Sequence, residues 1–443
     1  MKKKYGYFLL MSCFISCSSS MSKNIIEEEE AKEKVEIEEE VEQEKEGIVV
    51  LDEKIFYTEP KTFATVKNLK EDYNIDNDFD TDDSIILQNA IDEMESLGGG
   101  KLIIPAGNYS FAEVLLKSNI HLEIDSGVVI RPADRPNNRN YVIFKVTNDT
   151  SEEPLRNVSI CGVNGKFKVD LRHANNLNVR IIMSFNVSNF KYSNMIVEDK
   201  YSRFSSVTFN GVKIGDKVLG PRNGVVKDID LYNSDYGYGV VQFQLGKHIY
   251  FKNLYGKGGA TLRIETHNKV LREIGTYDVV DEIYGTNIIS EEGNAALMLS
   301  PHFINNGTVN VNGVTAIGSG FAVRIGAGFV NKEEAALGLT AGTFNKETVI
   351  KNVKATYSDS KAQIKPKHYK YMPCELRSLI SNTPINPFPH GDSYNGPSIG
   401  AVVYDANYTV HIKEEDITIG EGFKEGVSLL LKEDAKTDTE CGL

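Results

Sequence analysis

Gly259-Ala260-Thr261-Leu262-Arg263-Ile264-Glu265-Thr266-His267 alternates apolar and polar residues once past Thr261. That period belongs to a half-buried strand, with Leu262 and Ile264 turned inward and Arg263, Glu265 and His267 in a row on the other face. A strand with a solvated polar face would satisfy the pattern by itself. Similar strands elsewhere in the chain decide the matter. V-V-Q-F-Q (240–244), A-L-M-L-S-P-H (296–302) and A-V-R-I-G (322–326) align with it so that Val241, Leu262, Leu297 and Val323 stack inside. Outside, one row then holds Gln242, Arg263, Met298 and Arg324. The next holds Gln244, Glu265, Ser300 and Gly326, and a third sets His267 beside His302. Adjacent strands lie about 4.8 Å apart, so one carboxylate sits among Arg, Gln and His. Scattered Lys, Glu and Thr would mark an ordinary solvated face; this grouping, flanked by glycines, reads as the floor of a cleft.

Between these strands runs a second set marked by asparagine. It comprises F-K-Y-S-N-M-I-V (190–197), V-V-K-D-I-D-L-Y-N (225–233), H-I-Y-F-K-N-L-Y (248–255), E-I-Y-G-T-N-I-I-S (282–290), V-N-V-N-G-V-T-A-I (309–317) and V-I-K-N-V-K-A-T (349–356). The marked positions Asn194, Asp228, Asn253, Asn287, Asn312 and Asn352 are separated by 34, 25, 34, 25 and 40 residues. A coil of three short strands needs somewhat more than about twenty residues, and loops fill the longer intervals. The expected fold is therefore all-β, a right-handed parallel β-helix. A β-sandwich is the fallback, but it would show hairpin turns that this chain lacks.

Such a solenoid needs a plug at its open end. Thr81-Asp82-Asp83-Ser84 followed by Ile85, Leu87, Ile91 and Met94 predicts a capped helix, broken by Gly98-Gly99-Gly100 before the strand L-I-I-P. Asp76, Asp78, Asp80, Asp82 and Asp83 favour capping. A structural calcium ion is the alternative, although no glutamate stands at the twelfth position of a calcium loop.

Residues 1–16 read as a lipoprotein signal peptide: Lys2, Lys3 and Lys4, a short apolar run, then Phe14-Ile15-Ser16-Cys17, with Cys17 the lipidated residue. Residues 17–48 form an acidic disordered tether; twelve Glu against four Lys in 21–48 cannot bury a core. The expected location is an exported protein on a bacterial membrane, the outer one, at the cell surface or in the periplasm, held only by its lipid. The chain carries −13, and the body from residue 49 about −8. That excludes nucleic acid as a partner and requires any anionic substrate to meet a local cation cluster. Residues 49–330 form the catalytic core. Residues 331–398, with a basic stretch from Lys361 to His368, form an insertion expected near the cleft, and 399–443 close the solenoid. Cys161, Cys374 and Cys441 are the thiols beyond the signal; one bridge is possible, but no metal site is spelled.

Three segments, Y-G-Y-G-V-V-Q (236–242), G-G-A-T-L-R-I-E-T (258–266) and G-N-A-A-L-M-L-S-P-H (293–302), resemble the iota-carrageenases of glycoside hydrolase family 82. The spacing carries the likeness: Gln242, Glu265 23 residues later, and His302 37 after that. The resemblance implies an inverting hydrolase of the β-1,4 linkages of a sulfated red-algal galactan. It makes Glu265 the general acid, places Gln242 and His302 around the cleaved sugar, and makes Arg263 and Arg324 sulfate ligands, with Gln244 and Tyr238 as further substrate contacts. It requires no cofactor, and a monomer is expected. One departure stands out, because His267 occupies the position of the family's base, an aspartate. A neutral imidazole can take a proton near pH 7, and Asp235, Glu291 and Glu292 are the alternatives. Two competing functions remain: a β-helix polysaccharide lyase using Arg263 or Lys269, and a non-catalytic glycan-binding lipoprotein.

Overall fold

The computed structural model describes residues 48–272, 276–385 and 392–441. The signal peptide, Cys17 and the acidic tether lie outside them. Two parallel sheets make a β-helix. A ten-strand sheet runs from Val114–Leu115 through Val179–Ser184 and Val207–Phe209 to Leu429–Leu431. A fourteen-strand sheet supplies the rest of the circuit. Its middle strands are long: Val187–Glu198, Arg222–Ser234, Gly246–Gly258 and Val280–Glu291.

Each long strand is bent at a left-handed residue near its middle. Asn194, Asp228, Asn253 and Asn287 have φ between 50° and 59°, which Asn and Asp tolerate better than other side chains. The bend turns one strand into two walls. Leu155–Val163 pairs with Val187–Ser193, before Asn194, whereas Phe167–Asp170 pairs with Met195–Glu198, beyond it. Side-chain amides bond along the ladder, Asn253 Nδ2 to Asp228 Oδ1 at 2.8 Å and Asn287 Nδ2 to Asn253 Oδ1 at 3.0 Å.

The next bend falls at Gly313 rather than at the expected Asn312, although the Asn312 amide still accepts from Asn352 Nδ2 at 2.6 Å. Thr286 pairs with Asn312 and Ile288 with Val314, which puts Gly313, at φ 90°, opposite Asn287. The bend needs a backbone conformation, and glycine reaches it without steric cost. A second ladder runs through Asn119, Asn157, Asn189 and Asn223 and continues with His248 and Glu282, all at positive φ.

Inside, Val241, Leu262, Leu297 and Val323 stack fully buried, as do Phe209, Phe243 and Phe251. Each such side chain contributes about 1.5–3 kcal/mol as an upper estimate. The helix Ser84–Ser96 closes one end by burying Leu87, Ala90, Ile91 and Met94. Its first-turn N–H at Ser84 is capped by Asp82, which also pairs with Arg135 at 3.0 Å. No described helix is long and apolar enough to cross a membrane.

Residues 51–59 do not form a coil. They cross the outside of the long sheet as a strap, with Phe56 buried against Tyr250. Glu53 bridges Lys227 at 2.9 Å and Lys252 at 3.0 Å, and Thr58 N donates to Asn189 Oδ1. The expected insertion at 331–398 is also not continuous. Val349–Thr356 pairs with Val309–Ile317 as a solenoid strand, leaving an excursion on either side of it. The second excursion is tied to the C-terminal tail by a disulfide, Cys374–Cys441.

Candidate active site

Four neighbouring strands of the ten-strand sheet build the site: β1 (Val241–Phe243), β2 (Ala260–Glu265), β3 (Ala295–Ser300) and β4 (Phe321–Ile325). Their register pairs Val241 with Leu262, Leu297 and Val323, and Gln242 with Arg263, Met298 and Arg324. Glu265 stands opposite Ser300. This is the stacking that the alternation predicts. Gln244 falls one residue beyond the end of β1, and its Oε1 is buried without a hydrogen bond.

Glu265 is the centre. It makes a close ion pair with Arg263, and its Oε1 meets His302 Nε2 at 3.2 Å. Burial alone would raise its pKa, but Arg263, His302 and His267 outweigh that and hold it at about 2. Arg263 also donates through Nη1 to the carbonyl of Gly237, beside Tyr238. Arg324 has no carboxylate partner among the described residues; it donates to Asn294 Oδ1 at 2.6 Å.

His267 stacks on His302, with ring centres 4.4 Å apart and planes within 15°. Its Nε2 lies 3.3 Å from Glu334 Oε1, and Glu334 is fully buried in the short helix Lys332–Ala336 of the first excursion. Arg272 grips the same oxygen at 2.7 Å. Burial of Glu334 would favour its neutral form. The Asn331 amide, His267 and Arg272 overcome that and keep it ionised. Burial and the neighbouring His302 lower the pKa of His267, so the imidazole is neutral at pH 7. No described residue bonds its Nδ1, while Arg272 Nη2 also lies 3.3 Å from its Nε2.

The alternative bases fare differently. Glu291 and Glu292 are committed to lysines: Glu291 to Lys257 at 2.6 Å, and Glu292 to Lys361 at 2.7 Å. The geometry thus removes both. Asp235 is buried, and its Oδ1 accepts from its neighbour's amide, Tyr236 N. Lys269 falls in the turn Lys269–Arg272. Among the described residues no three His, Cys, Asp or Glu side chains are placed to hold a metal ion.

Sequence reasoning missed what the excursions bring. Gln363 accepts from Gly259 N at 2.8 Å and donates to Ser234 O, fixing the entry to β2. Lys365 lies over the Tyr236 ring, and the Tyr236 hydroxyl meets buried His368 at 3.0 Å. Lys367 is pushed down to about 8, by burial and then by Arg324 nearby, although Glu265 pulls the other way. The basic composition of 361–368 was the available signal.

No family model matches the chain. An iota-carrageenase of Zobellia galactanivorans is 33% identical, covering 85% of this chain and 87% of that protein. The chain belongs to the iota-carrageenases. A second such enzyme, from Alteromonas macleodii, is 32% identical over 62% of this chain and 55% of its own length. Solved structures agree. A galactohydrolase of a galactose-4-sulfate and anhydrogalactose-2-sulfate polymer superposes at TM-score 0.78, with 26% identity over 88% of this chain and 95% of that one. The iota-carrageenase of A. fortis, of glycoside hydrolase family 82, superposes at 0.77, with 26% identity over 86% and 93%. This iota-carrageenase family member is thus a glycoside hydrolase on a parallel β-helix, and the lyase and non-catalytic readings fall away.

Proposed function

We propose that this chain hydrolyses the β-1,4 linkages of iota-carrageenan with inversion, Glu265 acting as general acid and His267, oriented by Glu334, as general base. The substrate class follows from the relatives, one of which has been solved with iota-carrageenan fragments. The observation that carries the chemistry is Glu265, ion-paired to Arg263 and bonded to His302, beside a His267 that is held by the buried carboxylate of Glu334. His267 lies just past the end of β2, where its N–H bonds the carbonyl of Glu265 at 3.0 Å and its ring stacks on His302.

In the reaction, water attacks the anomeric carbon and passes a proton to His267 Nδ1. The bond to the leaving oxygen breaks as that oxygen takes the proton of Glu265. Glu334 would accept the proton on Nε2, fixing the tautomer that leaves Nδ1 open, in the way a buried carboxylate orients a catalytic histidine. Gln242 and His302 hold the cleaved sugar. Arg263, Arg324 and Lys367 meet sulfate, since guanidinium forks match oxyanion geometry. Gln244 and Tyr238 line the groove.

Glu265 is ionised in the free site and must gain a proton. A sulfate on Arg263 would withdraw the cation that holds the carboxyl down, leaving burial to raise it. Substrate therefore arms its own acid. No cofactor is required, and structural calcium stays the alternative reading of the aspartates before the capping helix. The protein works as a monomer, exported and anchored through Cys17.

The test is a reducing-end assay on iota-carrageenan with the product anomer followed by proton NMR. The α-anomer should appear first, and Glu265→Gln should bind the polymer without turning it over. Full activity of Glu265→Gln would sink the assignment.

A further inference from the structure

Arg180 stands on Val179–Ser184, three strands from β2 across the same sheet, by way of Val207–Phe209 and β1. Its guanidinium carbon lies 3.3 Å from the centre of the Phe204 ring. Phe204 in turn meets Tyr238, with centroids 6.2 Å apart at 63°. Arg135, Arg172, Arg272 and Arg377 each pair with a carboxylate. Arg180 pairs with none among the described residues, and its Nε is buried without a hydrogen bond. Burial pushes it down to about 10, and the only group opposing that is Tyr238. A shielded cation without an anion costs stability unless a ligand supplies the charge.

We propose that Arg180, Phe204 and Tyr238 form a distal subsite of the groove that takes a sulfated sugar away from the point of cleavage. This rests on the hydrolase reading above. Stacking on Phe204 occupies one face of the guanidinium and leaves its in-plane N–H groups for an oxyanion. Tyr238 links the subsite to the catalytic centre, since its ring meets Phe204 and the carbonyl of Gly237 beside it accepts from Arg263. The spacing suits a polymer laid obliquely across the strands. Arg263 and Arg324 share one row two strand steps apart, roughly 10 Å, whereas Arg180 stands three strand steps from Arg263, roughly 14 Å across the sheet, and three residues along its strand from Met183, which shares that row. A chain bearing sulfate on every sugar thus passes guanidiniums before, at and beyond Glu265.

The experiment measures kcat and KM of the full chain on iota-carrageenan oligosaccharides of increasing length. Arg180→Ala should raise KM about tenfold on long oligosaccharides, the loss of one charge-assisted contact. The shortest cleaved substrate should be unaffected, and kcat unchanged throughout. Arg180→Lys, which keeps the charge and the stem, should show the same length dependence in weaker form and serves if the alanine variant fails to fold. A KM that is unchanged at every length, or raised equally on the shortest substrate, overturns the subsite while leaving the hydrolase reading intact. A wild-type chain that releases no reducing ends from iota-carrageenan overturns both.

Discussion

Removing sulfate from the substrate should lower kcat, and not merely raise KM. In the free site Glu265 is held at about 2 against an ordinary 4.5, with Arg263 the first group that lowers it. That difference corresponds to roughly 3 kcal/mol of preference for the anion. At pH 7 the protonated fraction is then on the order of 10⁻⁵, too small for an effective acid. A sulfate seated on Arg263 cancels that stabilisation, and burial then lifts the carboxyl to its ordinary range or above. The protonated fraction should gain on the order of 10²-fold or more. The assay compares initial rates at saturating concentrations of sulfated and chemically desulfated oligosaccharide from pH 5 to 8. For the wild type, kcat on the desulfated substrate should fall on the order of 10²-fold, with its basic limb moved to lower pH. In Arg263→Gln the two substrates should converge in kcat, since the cation that sulfate would neutralise is gone. Equal kcat on both substrates in the wild type, with the whole penalty in KM, would refute the coupling.

Three further outcomes are expected. His267→Ala should cost roughly 10²–10⁴-fold in rate and abolish the acidic limb, whereas Glu334→Gln should move that limb to lower pH by removing the anion that favours imidazolium; a near-normal rate in His267→Ala would turn attention to Asp235. Glu265 has a depressed pKa, so its contribution to stability is complete above about 4.5 and disappears as pH falls through about 2; the denaturation free-energy gap between wild type and Glu265→Gln, about 3 kcal/mol at pH 7, should close over that window. Opening Cys374–Cys441, which spans 67 residues, with Cys374→Ser should cost about 4 kcal/mol in the chain-entropy limit. It should also raise KM by loosening the segment that carries Lys365 and Lys367, as calorimetry and kinetics on the same sample would show.

The floor of the site was legible because strand alternation fixes which side chains share a face, and four short strands left one workable register. Glu265, Arg263, His302 and Arg324 follow from that register alone. Glu334 does not. It arrives on one turn of helix 67 residues from His267 in sequence, and nothing local links the two. Arg180 was equally silent, since the want of a partner shows only once the fold has placed the carboxylates. The strap was hidden because Leu51, Phe56 and Tyr57 follow neither helical nor strand periodicity. The bend after Asn287 falls at Gly313, because it selects for backbone freedom, while the amide of Asn312 still bonds that of Asn352.

The strap has a mechanical consequence. Residues 53–59 are fastened to Lys191, Lys227 and Lys252, on three successive long strands, by Glu59 and Glu53. A pull arriving at residue 49 therefore enters the solenoid on its flank, well away from the capping helix at its end. Tension is divided among several coils and loads their hydrogen-bond ladders together in shear. A chain pulled from the capping helix would instead unzip one coil at a time, each rung failing alone. Were the chain held by its N-terminal segment, the strap would spread such a load over several coils before it reached Glu265.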